Sequence, residues 1–314
     1  MKYQWRFEAK EPEPLKRFLT QNGISKRQLA RMKFAGGMIF VGHHQRHVQF
    51  ILHRGDLVTV FTAPEQAAVS VRPSKQPVTV AYEDDEYLVV DKPPYVASLP
   101  AANHPDDTMA NRVRYYLEHE HAESDAVHIV TRLDRDTSGL MLFAKSSWAH
   151  ARVDKELHQH TVQKTYLAIV SHNFIGQPQH GNIKAPLAPS PEFYMRRVVD
   201  PNGKKAWTEY TVLENFADAA VVEVQLHTGR THQIRAHFAS IGHPLLGDSL
   251  YGGPLGYGLK RQALHCWRLA FEQPFSQTDL RLESPLPADL KQVWSELRRN
   301  ENGIHMDKNN DGTA

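Results

Sequence analysis

The run Val130-Thr131-Arg132-Leu133-Asp134-Arg135-Asp136-Thr137-Ser138-Gly139-Leu140-Met141-Leu142-Phe143-Ala144-Lys145 sets a charged, turn-prone loop directly against an apolar strand. A loop held by a rigid strand presents side chains with little motion, so chemistry is sought here first. Read alone, the same loop also suits an Asx-type turn in which Asp134 and Asp136 only satisfy backbone N–H groups. Outward from it, short apolar runs suited to strands recur at 78–80, 87–90, 140–144, 166–170, 208–213 and 221–226. Helical periodicity falls between some of them, at 109–118, 147–157 and 231–240. Strands and helices mixed without regular β-α-β spacing predict an α+β domain over residues 78–300, with a mixed, largely antiparallel sheet.

A second constellation reads Leu226-His227-Thr228-Gly229-Arg230-Thr231-His232-Gln233-Ile234-Arg235-Ala236-His237, with Gly242-His243-Pro244-Leu245-Leu246-Gly247-Asp248-Ser249-Leu250-Tyr251-Gly252 after it. A strand with alternating Val222, Val224 and Leu226 ends at Thr228-Gly229, and a helix follows with Ile234, Phe238 and Ile241 turned to the core. Arg230 then stands near the start of that helix, at the mouth of the site rather than in the packing.

The first 61 residues read as a separate unit. A helix over 15–22 ends at Gly23, and Ser25 caps a second helix carrying Lys26, Arg27, Arg31 and Lys33. Short strands follow at 38–41 and 57–60. Residues 1–60 hold eleven Lys and Arg against four Asp and Glu, a net +7 in a chain whose total is +2. Such asymmetry suits a phosphate-binding module on a larger catalytic body, and on charge alone it suits a solvated basic surface equally well. Residues 62–77 have the Ala, Pro, Gln and Ser content of a linker, and 301–314 read as a frayed polar tail.

Composition narrows the classes further. With 41% hydrophobic and 23% charged residues and no apolar run of about 18, the chain predicts no membrane span, and its charged, aromatic start points to cytoplasmic residence. A single cysteine, Cys266, excludes an internal disulfide and suits a buried thiol. The 19 histidines are scattered without metal-ligand spacing, with His232 and His237 five apart, so no metal is expected. Asp307 to Gly312 opens like a calcium loop but lacks the closing glutamate, and Gly252 to Gly258 fit neither phosphate-loop pattern.

The motifs resemble those of the RluA-type family of RNA pseudouridine synthases, and residues 14–61 resemble an S4 RNA-binding module. Arg132-Leu133-Asp134-Arg135-Asp136-Thr137-Ser138-Gly139-Leu140 matches the family's Arg-Leu-Asp-x-x-Thr-Ser-Gly-Leu, which implies that Asp134 is the catalytic aspartate. Lys164-Thr165-Tyr166 matches its Lys-x-Tyr motif, implying Tyr166 as the active-site tyrosine, and Arg230 falls where the resemblance implies the arginine paired with the aspartate. Weaker matches lie at Asp91-Lys92-Pro93 and at 203–210. Many members have histidine before Arg-Leu-Asp where this chain has Thr131, a change expected to touch RNA-backbone contact rather than the carboxylate.

The resemblance implies an isomerase without cofactor that flips a uridine out of ribosomal or transfer RNA. Arg132 would fill the vacated space, and Lys26, Arg27, Arg31 and Lys33 would grip phosphates. No membrane or obligate protein partner is implied, and a monomer is expected. Asp134 could attack C1′, attack C6 or remove the 2′-proton, since each route needs one carboxylate. The other reading is a catalytically inactive RNA-binding or ribosome-assembly protein on the same fold.

Overall fold

The apolar runs pair into one ten-stranded sheet in the computed structural model. The structure describes residues 1–34, 36–62, 65, 71–101, 104–120, 126–159 and 161–310, excepting the side chains of 27, 31 and 302–310. From one edge the sheet runs His180–Ile183, Thr208–Asn215, Ala219–Leu226, Gln163–Ser171, Leu264–Gln273, Ser138–Ala144, Tyr87–Lys92 and Thr79–Glu83. Thr278–Glu283 pairs with Leu264–Gln273, and His128–Ile129 with Ser138–Ala144. Among the described residues every pairing in this sheet is antiparallel except one, between Ser138–Ala144 and Leu264–Gln273. The fold is therefore α+β with a mixed, largely antiparallel sheet.

That parallel contact covers only Ser138 and Gly139, so the halves of the sheet meet at the start of the strand, beside the charged loop. Gly139 has φ of +110°, and a Cβ there would lie 2.2 Å from the Cys266 carbonyl oxygen. Only glycine permits this approach. The strand it opens, Ser138–Ala144, is buried along its whole length. Helices Met109–Glu120 and Ser147–His158 bury Val113, Leu117, Ala149 and Val153 against the sheet's two apolar clusters, close to the periods read from sequence.

In the N-terminal unit, Lys2–Arg6 pairs with Leu57–Phe61, which pairs with Met38–Val41, over helices Leu15–Gln21 and Lys26–Phe34. Ser25 and Gln28 form a reciprocal cap, each backbone N–H donating to the other's side chain at 2.7 and 3.2 Å. The apolar core of this unit includes Trp148, which belongs to the larger domain. Tyr3 lies edge-on to Trp148 at 3.9 Å between centroids, Trp5 follows at 5.4 Å, and Phe275 packs on Trp148 at 5.1 Å. Tyr3 Oη donates to Glu86 at 3.0 Å across the seam, and Arg152 donates to the Asn22 carbonyl at 3.2 Å. Residues 63–64 and 66–70 of the expected linker lie outside the described residues, but Glu65 within it accepts hydrogen bonds from Ser147 and pairs with His128 at 2.8 Å.

The last helix, Ala288–Asn310, runs into the expected polar tail, of which residues 311–314 lie outside the described residues. Its first turns bury Leu290, Val293 and Leu297 beside Leu167, Ile169 and Val221. A helix nucleated by packing propagates cheaply into polar sequence, so composition alone did not mark its end. No helix among the described residues is long and apolar enough to cross a membrane.

Candidate active site

Backbone bonds and buried cations hold the loop before Ser138 in place. Thr131 Oγ1 accepts from Leu142 N at 2.9 Å, so this residue fastens the loop to its strand. Leu133 bonds at both backbone groups to Ser98 Oγ, its N–H donating at 3.1 Å and its carbonyl accepting at 2.6 Å. Lys92, fully buried, donates to the carbonyls of Pro93, Val96 and Arg135 at 2.7–2.9 Å. Three acceptors match the three donors of an ammonium, while burial pushes this group down to about 7. Arg261, 2% exposed, forks onto Asp289 at 2.7 and 2.9 Å and donates to the Asp136 carbonyl at 3.1 Å.

These bonds also bear on the Asx-type turn read for the loop. The turn is closed by the Asp134 carbonyl, which accepts from Thr137 N at 3.1 Å. Among the described residues no backbone N–H donates to the Asp134 carboxylate, which is left for other work. The Asp136 carboxylate is taken by Arg135 at 2.7 and 3.0 Å, and so stays structural.

The cation beside Asp134 is Arg235, not Arg230. Arg235 Nη1 lies 3.3 Å from Asp134 Oδ2, while its Nε and Nη2 bond both oxygens of Asp248 at 2.7 and 2.8 Å. Asp248, 1% exposed, thus fixes the guanidinium plane and leaves one nitrogen for Asp134. Burial disfavours the charge on Arg235, but the bonds and charges of Asp248 and Asp134 outweigh it and hold the group above its ordinary value. The Tyr251 ring centroid lies 5.1 Å from this guanidinium.

The reason lies in the turn before the helix. Helix Gln233–Ser240 starts two residues later than its periodicity suggests, because His232 is left-handed, with φ of 55°. Gln233 closes the turn, its side-chain oxygen accepting from Arg230 N at 3.0 Å and from Thr228 Oγ1 at 2.8 Å. Arg230 is thereby sent to the rim, exposed, with its Nε on the Lys205 carbonyl at 3.0 Å. His232 Nε2 stands 3.9 Å from Asp134 Oδ2, and burial, opposed by that carboxylate, holds it below the usual histidine value. His237 is buried and structural, bonded to Thr208 Oγ1 at 2.8 Å and to the Ala185 carbonyl at 2.9 Å.

Asp134, Tyr166, Arg132 and Arg230 all line one cleft of about 1160 Å³, with Lys164 on its wall. Tyr166 is 5% exposed and stands on a strand paired without interruption to Ala219–Leu226, and the register shift beside it leaves Trp267 of the neighbouring strand as the extra residue. Burial lifts its phenol well above the ordinary range, so it is neutral. The same burial pushes the Cys266 thiol up to about 12, in keeping with the packing role read for it. Arg132 is exposed. Lys26 and Lys33 are exposed on the N-terminal unit and away from the cleft lining, and the side chains of Arg27 and Arg31 lie outside the described residues.

Sequence reading missed Arg235, Asp248, Ser98 and Arg261 as parts of the site. The first two stand inside the second constellation, where an arginine three residues into a helix and an aspartate after Gly247 were available signals. Ser98 and Arg261 carry no local pattern.

Residues 86–240 match a family model described as RNA pseudouridylate synthase. The uncharacterized RNA pseudouridine synthase YjbO of Bacillus subtilis is 39% identical over 279 residues, 89% of this chain and 97% of that protein. Ribosomal large subunit pseudouridine synthase D of Haemophilus ducreyi is 35% identical over 243 residues, 73% of this chain and 74% of that one. The solved structure of human RNA Pseudouridylate Synthase Domain Containing 4 superposes with a TM-score of 0.58 at 26% identity, over 70% of this chain and 93% of that one.

Proposed function

The chain belongs to the RluA-type family of RNA pseudouridine synthases, isomerases that act on RNA, and from that premise we propose that Asp134 is its catalytic carboxylate. The observation carrying this is the Asp134–Arg235–Asp248 arrangement: a carboxylate open to the cleft, facing a cation that a second, buried carboxylate locks in orientation.

The reaction breaks the N1–C1′ bond of a uridine, turns the base and joins C5 to C1′, while C5 loses a proton and N1 gains one. A base inside structured RNA must first leave its stack. Arg132, exposed and lining the cleft, would enter the vacated space, where a planar guanidinium can stack. Tyr166 offers its ring to the flipped uracil, and as a neutral phenol it offers a hydroxyl donor. Arg235 keeps Asp134 ionised and aimed, ready to act as nucleophile or base. Arg230, on the rim with Lys205, serves the phosphate backbone instead. Lys26, Arg27, Arg31 and Lys33 would extend that grip from an S4-like module.

Ribosomal RNA is the favoured substrate, because ribosomal large subunit pseudouridine synthases stand among the similar proteins. An inactive RNA-binding protein is disfavoured by a site that keeps its carboxylate, cation and tyrosine together. Mapping pseudouridines in ribosomal and transfer RNA from cells with and without the gene tests the reading. Loss at discrete ribosomal uridines is expected, and identical maps would overturn it.

A further inference from the structure

Three side chains at the ends of neighbouring strands form a stack running into the cleft. Lys184 follows strand His180–Ile183, Trp207 precedes Thr208–Asn215, and His227 follows Ala219–Leu226. Lys184 Nζ sits 4.2 Å from the centroid of the Trp207 ring, and the His227 ring is stacked on the same indole at 3.8 Å and 17°. A cation and a parallel imidazole at these distances cannot share one face, so both faces of the indole are occupied.

The indole is also pinned at its edge, Nε1 donating to Asn182 Oδ1 at 2.7 Å. His227 is held in plane by Glu209, 2.7 Å from Nε2. It lines the cleft with a side chain 23% exposed, while the indole behind it is not among the lining residues. The stack therefore ends, on the cleft side, in a fixed aromatic ring.

Within the proposed reaction, we infer that His227 is a stacking platform for a nucleobase neighbouring the flipped uridine, with Trp207 and Lys184 as its rigid backing. A π-face in a basic cleft that tracks a nucleic acid backbone takes bases by stacking and tolerates any base identity. Pre-fixing the ring spares the entropy of ordering it when RNA arrives. The residue positions RNA and touches none of the reacting atoms, so its contribution falls on binding.

The test uses full-length protein and ribosomal RNA from cells lacking the gene. Single-turnover pseudouridine formation is followed against enzyme concentration, with RNA binding measured in parallel. His227→Ala should raise both the half-saturating concentration and the dissociation constant about tenfold, with the rate at saturation within about twofold of wild type. His227→Phe, which keeps a flat ring, should recover most of the loss. On a synthetic fragment carrying the mapped uridine, an abasic nucleotide at one flanking position should abolish the difference between wild type and His227→Ala.

Equal half-saturation for wild type and His227→Ala overturns the inference. So does a His227→Phe protein no better than His227→Ala, or a difference that survives abasic nucleotides at both flanks. Unchanged melting temperatures exclude misfolding as the cause, and Trp207→Ala gives a second variant, expected to weaken binding by loosening the ring. If wild type formed no pseudouridine, the proposed reaction would fall, while the binding comparison would still decide the stacking.

Discussion

Arg235 divides its fork between two carboxylates, and that division makes separable predictions. Arg235→Ala removes the only arginine seen beside Asp134 among the described residues and strands Asp248 as a buried unpaired charge. Pseudouridine formation at saturating RNA should fall by about a hundredfold or more, and stability should fall by about 3–5 kcal/mol. Arg235→Lys should recover little, since one ammonium cannot span both partners. Arg230→Ala should leave the saturated rate within a few-fold and raise the half-saturating RNA concentration. Reversed outcomes for the two arginines in a single-turnover assay would restore Arg230 as the partner. The motif was legible in sequence, but the choice between its arginines was not, because it depends on a left-handed turn at His232 that residue identity does not announce.

Gly139 shows how an element carries the site. Its neighbour strand approaches so closely that a methyl group would meet backbone rather than a movable side chain, in a conformation with φ of +110°. Gly139→Ala should destabilise the protein by about 3 kcal/mol or more and displace the loop holding Asp134, so activity falls with stability. Urea denaturation read with the assay checks this; a stable, active Gly139→Ala protein would show that the strands can part freely. Tyr87–Lys92, Ser138–Ala144, Gln163–Ser171 and Ala219–Leu226 were legible because their apolar runs are nearly continuous. Leu264–Gln273 and Thr278–Glu283 were not, since Arg268, Glu272 and Arg281 interrupt them and their pairing is set by the sheet.

At the scale of the molecule, the seam around Trp148 joins the N-terminal unit to the catalytic domain. The separate unit and linker read from sequence would let a chain starting near Val78 fold on its own, unless an apolar seam joins the two units. Such a chain would expose Trp148, now 2% exposed, together with Phe275 and the buried carboxyl of Glu86. It should aggregate or melt well below the full-length protein, and a soluble, cooperatively melting chain would contradict the seam. This was illegible because its aromatic members, Tyr3, Trp5, Trp148 and Phe275, are scattered along the sequence.

The pH dependence of stability belongs to the same scale. Burial holds His232, His237 and His265 below the ordinary histidine value. The unfolded chain therefore takes up protons that the fold refuses as pH drops through about 6.5, and stability is lost by up to about 1.4 kcal/mol per pH unit for each. Glu86 opposes them: burial pushes it up to about 7, so the fold takes its proton before the unfolded chain does and gains stability as pH falls from 7 toward about 4.5. Glu156 shares its direction. Glu86→Gln should remove the opposition and make the melting temperature fall more steeply between pH 7 and 5 than in wild type. An equal or shallower decline would contradict the buried seam charge.

The central claim is that Asp134 performs the isomerisation, and Asp134→Asn tests it most directly. The amide keeps the shape of the side chain and loses its charge and nucleophilicity. Purified wild type and Asp134→Asn are compared on ribosomal RNA from cells lacking the gene, with pseudouridine mapped by mass spectrometry and RNA affinity measured alongside. The expected result is conversion of discrete uridines by wild type and none by Asp134→Asn at similar RNA affinity. Appreciable conversion by an Asp134→Asn protein verified to be free of deamidation would contradict the account.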